Sequence, residues 1–413
     1  MALRFLILTL IFLLLDWYFY QAVVTVLRFA TPERKQMVAW IYWGFSAFVV
    51  VLMLVAVAIG PLNAPRWVRV YLFSVVLVVE ISKLVGLVFV LTDDVLRLFR
   101  WLAQLVQPKS APSEGNGISR LRFLNQMALV MAAIPFASLL YGMVKGAYDY
   151  RVKRITLKFP NLPEAFDGMV MGQISDLHTG SFSDPTHLNQ AFDILLGHKP
   201  DVIVFTGDLV NDRASETQGF EETFRRLKAP LGVYSTLGNH DYGDYVAWES
   251  PQAKAANLQE LKAVHAASGW DLLMNEHRIL ERGGQRIALI GVENWGASLR
   301  FPKYGKLSQA LAGAETAPFK ILLSHDPSHW DAEVNRLHPD VDLTLSGHTH
   351  GMQFGVELPG FKWSPVQYFY KQWAGLYQKG SQYLYVNRGL GFIGYPGRVG
   401  IKPEITLLEF KRA

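Results

Sequence analysis

The sequence predicts two regions of different class: an all-α membrane region of four helices over 1–149, followed by an α/β domain over 150–413. Three observations lead there. Four apolar stretches, at about 5–27, 37–60, 68–91 and 123–144, reach the roughly 20 residues that cross a bilayer as a helix. Half of the 413 residues are apolar, a high share for a chain wholly in water. From 150 onward the apolar runs shorten to strand length, are separated by helical or Gly/Pro-rich segments, and end on His, Asp or Asn.

The first span is not a cleaved leader, because its apolar run is too long, it lacks a small-residue cleavage site, and a second span follows at once. Pro32, Pro61, Asn63 and Pro65 punctuate the first two loops. DDVLRLFRWLAQLV, from Asp93 to Val106, predicts an amphipathic helix on the membrane surface, and QPKSAPSEGNG at 107–117 a flexible stretch before the fourth span. Glu80 and Lys83 lie three apart in the middle of the third span, on one helix face, where each neutralises the other. Asp16 has a similar status nearer an interface. Lys and Arg near the span ends number 8 on each side, so the positive-inside rule does not orient the helices.

Composition excludes some classes. The chain has no Cys, so disulfides and thiolate ligands are out, and any metal falls to His, Asp, Glu or Asn. Of 40 Lys and Arg and 35 Asp and Glu, the first 150 residues hold 13 and 7, leaving 27 and 28. The basic excess therefore belongs to the membrane region, and a near-neutral second domain argues against a nucleic-acid partner.

Five apolar runs in the second region each deliver polar groups at their C-terminal end. GMVMGQIS leads to Asp176 and His178, DVIVFTG to Asp208, GVYSTLG to Asn239, His240 and Asp241, FKILLS to His325, and VDLTLSG to His348 and His350. Ligands of open α/β sheets bind at that edge, so five strand ends point to one place. In an extended strand residues i and i+2 share a face, which predicts that Asp176 acts with His178 and His348 with His350. The other six histidines, His187, His198, His265, His277, His329 and His338, read as surface or packing residues.

The series Asp176-x-His178, Gly207-Asp208, Gly238-Asn239-His240-Asp241, His325 and Gly347-His348-Thr349-His350 resembles the calcineurin-like metallophosphoesterases, over about 150–411. The tail VNRGLGFIGYPGRVGIKPEITLLEF resembles their bacterial membrane-associated subgroup, including the Chlamydia-type UDP-2,3-diacylglucosamine pyrophosphatases of lipid A biosynthesis. The resemblance implies a four-layer αββα sandwich with two divalent ions (Mn, Fe or Zn) at one edge. Asp176, His178 and His350 would hold the first ion, Asn239, His325 and His348 the second, and Asp208 would bridge them. An activated water then attacks phosphorus in line, His240 stabilises or protonates the leaving oxygen, and Asp241 orients His240.

Asn211, Arg213, Arg388 and Arg398 are candidates for substrate phosphate contacts. Residues 359–377, PGFKWSPVQYFYKQWAGLY, carry seven aromatics and two lysines directly after the last motif, suited to dip into the bilayer, to line an acyl channel or to pack a core. The expected activity is hydrolysis of a phosphodiester or pyrophosphate on a lipid-linked substrate, with the bilayer as partner. The competing readings are a tethered phosphodiesterase for soluble substrates and a catalytically silent metal-binding scaffold. Lys145 and the RVKR cluster at 151–154, with nucleotide-linked lipids being made inside, point to a multi-pass cell-membrane protein whose catalytic domain is cytoplasmic.

Overall fold

The computed structural model describes residues 2–59, 70–71, 73–106, 120–298 and 301–413. The stretch at 107–117 and the loop with Pro61, Asn63 and Pro65 lie outside the described residues. The chain divides into two compact units, Met1–Tyr141 and Gly142–Ala413.

The first unit is helical: α1 Ala2–Val26, α2 Pro32–Ile59, α3 Phe73–Val106 and α4 Arg120–Val144. All four are long and apolar enough to cross a membrane. The surface helix expected from Asp93 is not a separate element but the continuation of α3. No Pro or Gly interrupts 91–106, and Arg97 closes onto Asp93 one turn away at 2.6 Å, so nothing ends the helix. At 34 residues α3 is about 51 Å long, well beyond the ~30 Å apolar thickness of a bilayer.

The Glu80–Lys83 pair is a triad. The Lys83 ammonium binds Glu80 at 2.8 Å and also the Asp16 carboxylate of α1, and all three side chains are buried. The Tyr42 hydroxyl of α2 donates to the Asp16 backbone carbonyl at 2.8 Å, so three helices meet there. Replacing Lys83 with Met leaves two buried carboxylates without their cation. Breaking such a cluster costs about 3–5 kcal/mol, so the Lys83→Met protein should melt clearly below wild type in detergent micelles, and an unchanged melting temperature would contradict a structural triad.

The second unit contains two six-stranded sheets. The first has the order β1 (Arg151–Phe159), β14 (Glu404–Arg412), β2 (Val170–Ile174), β3 (Val202–Phe205), β4 (Val233–Ser235) and β5 (Asp271–Leu272). The second has the order β12 (Gly375–Lys379), β13 (Gln382–Val386), β9 (Leu343–Ser346), β8 (Lys320–Leu323), β7 (Gln285–Gly291) and β6 (Glu276–Arg282). A small hairpin, β10 (Val356–Leu358) with β11 (Phe361–Trp363), stands apart from both.

Alternation of side chains explains the layering. Val202 and Val204 of β3 join Ile321 and Leu323 of β8 and Leu343 and Leu345 of β9 in one core between the sheets. The intervening residues face outward. Phe205 meets Trp270 and also His265 of α5 (Pro251–Ala267), whereas Leu322, Ala288 and Ile290 pack with Leu307 and Ala310 of α6 (Leu307–Leu311) and with Trp330. The arrangement is the expected αββα sandwich. Each of the five apolar runs singled out in the sequence forms a strand. β2, β3 and β4 are neighbours in one sheet, β8 and β9 in the other, and all five run parallel within their sheets.

Two buried histidines outside the strand ends are packing residues. His265 bonds Ser235 Oγ at 2.9 Å, and His329 bonds Ser324 Oγ at 2.8 Å and stacks on Trp295. Burial pushes the His265 imidazole down to about 3, which keeps it neutral among its aromatic neighbours.

Candidate metal centre

Asp176, His178, Asp208, His348 and His350 all stand in the left-handed region of φ, between 47° and 73°. Such backbone is rare for residues with a side chain and is held only where the surroundings over-determine it. It also corrects the strand-face argument. β2 ends at Ile174 and β9 at Ser346, so the ligand candidates lie past the strands on tight left-handed turns. The turns need close neighbours without a Cβ. Gly207, at φ 96°, would place a Cβ 2.8 Å from His325 Nδ1. His348 and His350 accordingly diverge into different clusters instead of sharing a face.

Among the described residues, Asp176, His178 and His350 converge in one group, and Asp208, His325 and His348 in another, with the ligand atoms of each group within 4.8 Å of one another. In the first, His178 Nε2 lies 3.0 Å from His350 Nε2, and His350 Nε2 lies 3.3 Å from Asp176 Oδ1. In the second, His348 Nδ1 lies 2.7 Å from Asn239 Oδ1, and the Asn239 amide donates to the Tyr245 hydroxyl, which leaves its carbonyl for the centre. Asp208 Oδ2 reaches both groups, 3.1 Å from His325 Nε2 and 3.5 Å from His178 Nε2.

These residues fit divalent ions on their own geometry. His325 Nε2 is buried with no aligned hydrogen bond, although Asp208 is close, and two imidazole nitrogens face each other across 3.0 Å in the first group. Each imidazole is aimed from its far side. His325 Nδ1 donates to the Thr206 carbonyl at 2.7 Å, and His178 Nδ1 meets Asn211 Oδ1 at 3.1 Å.

The electrostatics agree. Burial drives His178 down to about 3, and burial with the nearby Arg398 guanidinium holds His350 well below the usual range, so both imidazoles are neutral, the form in which a histidine can take a metal. Burial alone would raise Asp208 and lower His325, but their mutual attraction wins: the carboxyl is held well below its ordinary range and the imidazole well above. In metal-free protein His325 therefore carries a proton that an ion must displace. Metal affinity should fall as pH is lowered from about 8 to about 6, with proton release on binding that calorimetry in buffers of different ionisation enthalpy detects. An affinity independent of pH would contradict ligation by His325.

His240 borders the pocket over the centre, with Asp208, Asn239, Tyr245, His348 and His350. Its Nδ1 donates to the Asn211 carbonyl at 2.7 Å. Asp241 does not orient it, contrary to expectation. The Asp241 carboxylate instead accepts the backbone N–H groups of Asp208, Leu209, Val210 and Gly238, which pins together the two loops that carry Asp208 and Asn239. Burial, then the charge of Asp208, pushes Asp241 up to about 7 against those hydrogen bonds.

The four candidates for phosphate contact separate. Asn211 lies at the site but is engaged with His178 and His240. Arg213 turns onto Trp248, 4.3 Å from the ring centroid, and donates to the Ala247 carbonyl. Arg388 and Arg398 are buried, which corrects the expectation that they meet substrate. Arg388 is taken up by Glu404 and Glu357, and Arg398 donates to the carbonyls of Arg388, Gly389 and Gly391 while lying 3.2 Å from His350 Nδ1. A guanidinium has no acceptor and is costly to bury alone, so both are absorbed as internal braces of the loop after β13.

Tyr370 was legible only as one aromatic among seven. Its hydroxyl lies 2.7 Å from His348 Nε2 and 3.4 Å from the buried Asp326 carboxylate, so it fixes the imidazole whose Nδ1 faces Asn239. Outer contacts of this kind are worth about 10–100-fold in metal affinity or activity. Tyr370→Phe should weaken the second ion by that order while leaving the first in place. Unchanged binding of both ions would show the hydroxyl to be dispensable.

Comparison with known proteins agrees with this geometry. Residues 3–147 match the family described as "Probable Calcineurin-like phosphoesterase, transmembrane domain", and residues 169–352 match "Calcineurin-like phosphoesterase". The "Uncharacterized metallophosphoesterase YkuE" of Bacillus subtilis is 32% identical over 305 residues, 71% of this chain and 98% of that protein. The "Phosphodiesterase YaeI" of Escherichia coli is 27% identical over 71% of this chain and 99% of its own. The zebrafish "Transmembrane protein with metallophosphoesterase domain" is 30% identical over 70% of this chain, and the match spans 62% of that longer protein. With its strand ends, ligand groups and relatives in agreement, the chain belongs to the calcineurin-like metallophosphoesterases and carries their four-helix transmembrane domain at its N-terminus.

Proposed function

We propose that this protein is a membrane-anchored two-metal hydrolase of a phosphodiester or pyrophosphate bond in a lipid-linked substrate, of which UDP-2,3-diacylglucosamine is the named representative. The observation that carries the reading is the position of Asp208 Oδ2, within 3.5 Å of imidazoles from both groups. Asp176, His178 and His350 would hold one ion, Asn239, His325 and His348 the other, and Asp208 both. Imidazole, carboxylate and amide donors suit Mn, Fe or Zn. When bound, the two ions supply Lewis acidity that activates water at neutral pH and neutralises phosphoryl oxygens.

The chain's own residues supply the rest. Asn211 holds the Nδ1 proton of His240, so the proton for the leaving oxygen travels from Nε2. Asp241 keeps the Asp208 and Asn239 loops in register. Phe301, which lines the pocket over the centre, also lines a neighbouring cavity of about 600 Å³ with Ala297, Phe369 and Tyr370. An apolar chamber beside a phosphate site suits an acyl-bearing or otherwise apolar leaving portion.

The test is a comparison of substrates on purified full-length protein. Phe369→Ser should reduce kcat/KM on a long-chain lipid diester by about tenfold, the equivalent of roughly 1.5 kcal/mol of lost apolar contact, and leave a small water-soluble diester unchanged. Equal loss on both, or preference for the soluble diester, would favour a tethered enzyme for soluble substrates. We also propose a cytoplasmic catalytic domain, on the basic cluster of Lys145, Arg151, Lys153 and Arg154 after the last span. A C-terminal reporter active only after export would overturn that orientation.

A further inference from the structure

The β10–β11 hairpin is amphipathic in the reverse sense to a soluble edge. In its register Val356 pairs Trp363 and Leu358 pairs Phe361, which puts these four on one face, and Glu357 pairs Lys362 on the other. The polar face is tied inward. Glu357 binds Lys153 and Arg388, each at 3.0 Å, and the Lys362 ammonium binds the Ala374 carbonyl and the Tyr377 hydroxyl. The apolar face is turned to solvent instead, with Leu358 60% and Phe361 56% exposed.

The exposed surface extends beyond the hairpin. Phe354 precedes it, and Tyr368 and Phe369 follow it at 74% and 73% exposure. Trp373 of the same aromatic stretch is instead buried with Val366 and Ile401, so these outward rings are not part of a core. Glu357 is the only acid between 352 and 371, and it is neutralised, while Lys371 remains exposed. An exposed apolar segment whose one acid is paired and which ends on an exposed lysine matches the interfacial zone of a bilayer, in which apolar groups sink about 5–10 Å.

We infer that this ridge, Phe354, Val356, Leu358, Phe361, Tyr368 and Phe369, inserts into the lipid surface as a second membrane contact, independent of the four spans. The bilayer is the partner the chain itself selects, because four helices of the same chain are long and apolar enough to cross a membrane and so give the ridge a high effective concentration of lipid. Tyr370, one residue beyond Phe369, bonds His348, so the inserted segment runs directly into the metal centre. The inference concerns the surface and stands whether or not the substrate is lipid-linked.

The absence of Cys makes the test direct, since a single introduced thiol takes the only label. Full-length Leu358→Cys and Phe361→Cys proteins, labelled with an environment-sensitive fluorophore, are reconstituted into liposomes of phosphatidylcholine and phosphatidylglycerol without substrate. Ser381→Cys, at the exposed β12–β13 turn, is the control. Both ridge labels should emit to the blue of the control and be quenched at least about twofold more by doxyl-labelled lipid. Water-like emission and equal quenching at all three sites would overturn the inference. So would a blue shift that doxyl lipid leaves untouched and that vanishes at one copy per liposome, because the ridge would then be a contact between copies.

Discussion

Asp208→Asn is expected to abolish binding of both ions and to lower diesterase activity by about 10³-fold or more, as losing several kcal/mol of charge stabilisation implies. Asp176→Asn should keep the second ion and fall less. The asymmetry comes from geometry: Asp208 Oδ2 approaches imidazoles of both groups, whereas Asp176 gathers with the imidazoles of the first group, His178 and His350, and meets His348 through its backbone N–H. The substitution is mild for the fold, because the Asn oxygen can still accept the His240 N–H that Asp208 Oδ1 accepts at 2.9 Å. Metal content per chain by elemental analysis checks the claim. Equal, near-full occupancy in the two variants would remove Asp208 from its bridging place.

His240→Ala should leave metal content intact and slow hydrolysis by about 10²–10⁴-fold for an alkoxide leaving group, the usual range for loss of a positioned proton donor. The deficit should shrink for p-nitrophenolate, which departs without a proton. A rate loss independent of the leaving group would assign His240 to charge stabilisation alone. Asn211 enters the same argument, since its carbonyl sets which ring nitrogen of His240 faces the pocket.

The strands and their endings were readable because a buried strand is a short run of Val, Ile and Leu, and a polar residue directly after it, beside Gly, has few structural uses. β2, β3, β4, β8 and β9 and the polar groups after them were visible for that reason. What the one-dimensional pattern conceals is direction. The i, i+2 spacing predicts that Asp176 and His178 face alike along a strand, whereas both leave it through left-handed turns. Asp241 adjoins His240 in sequence but spends its oxygens on backbone N–H groups of another loop. Arg388 and Arg398 carry the charge a phosphate would want, yet Glu404, Glu357 and the main-chain carbonyls of the loop between them already use it, which a linear pattern of charges does not show.

The aromatic stretch was ambiguous for a related reason. Its rings split three ways, with Trp373 in a core, Tyr370 on His348, and Tyr368 and Phe369 outside, and composition alone does not sort them. In the membrane region, charge spacing showed the Glu80–Lys83 pair, while the third member, Asp16, comes from another helix and needs the fold to be seen.

The most direct measurement strips the full-length protein with chelator and titrates Mn back while following both bound metal and hydrolysis of bis-p-nitrophenyl phosphate. A dinuclear centre predicts no activity in the stripped protein and a rise that reaches its plateau at two ions per chain. Full activity after stripping, or a plateau at one ion with no second bound, would contradict it.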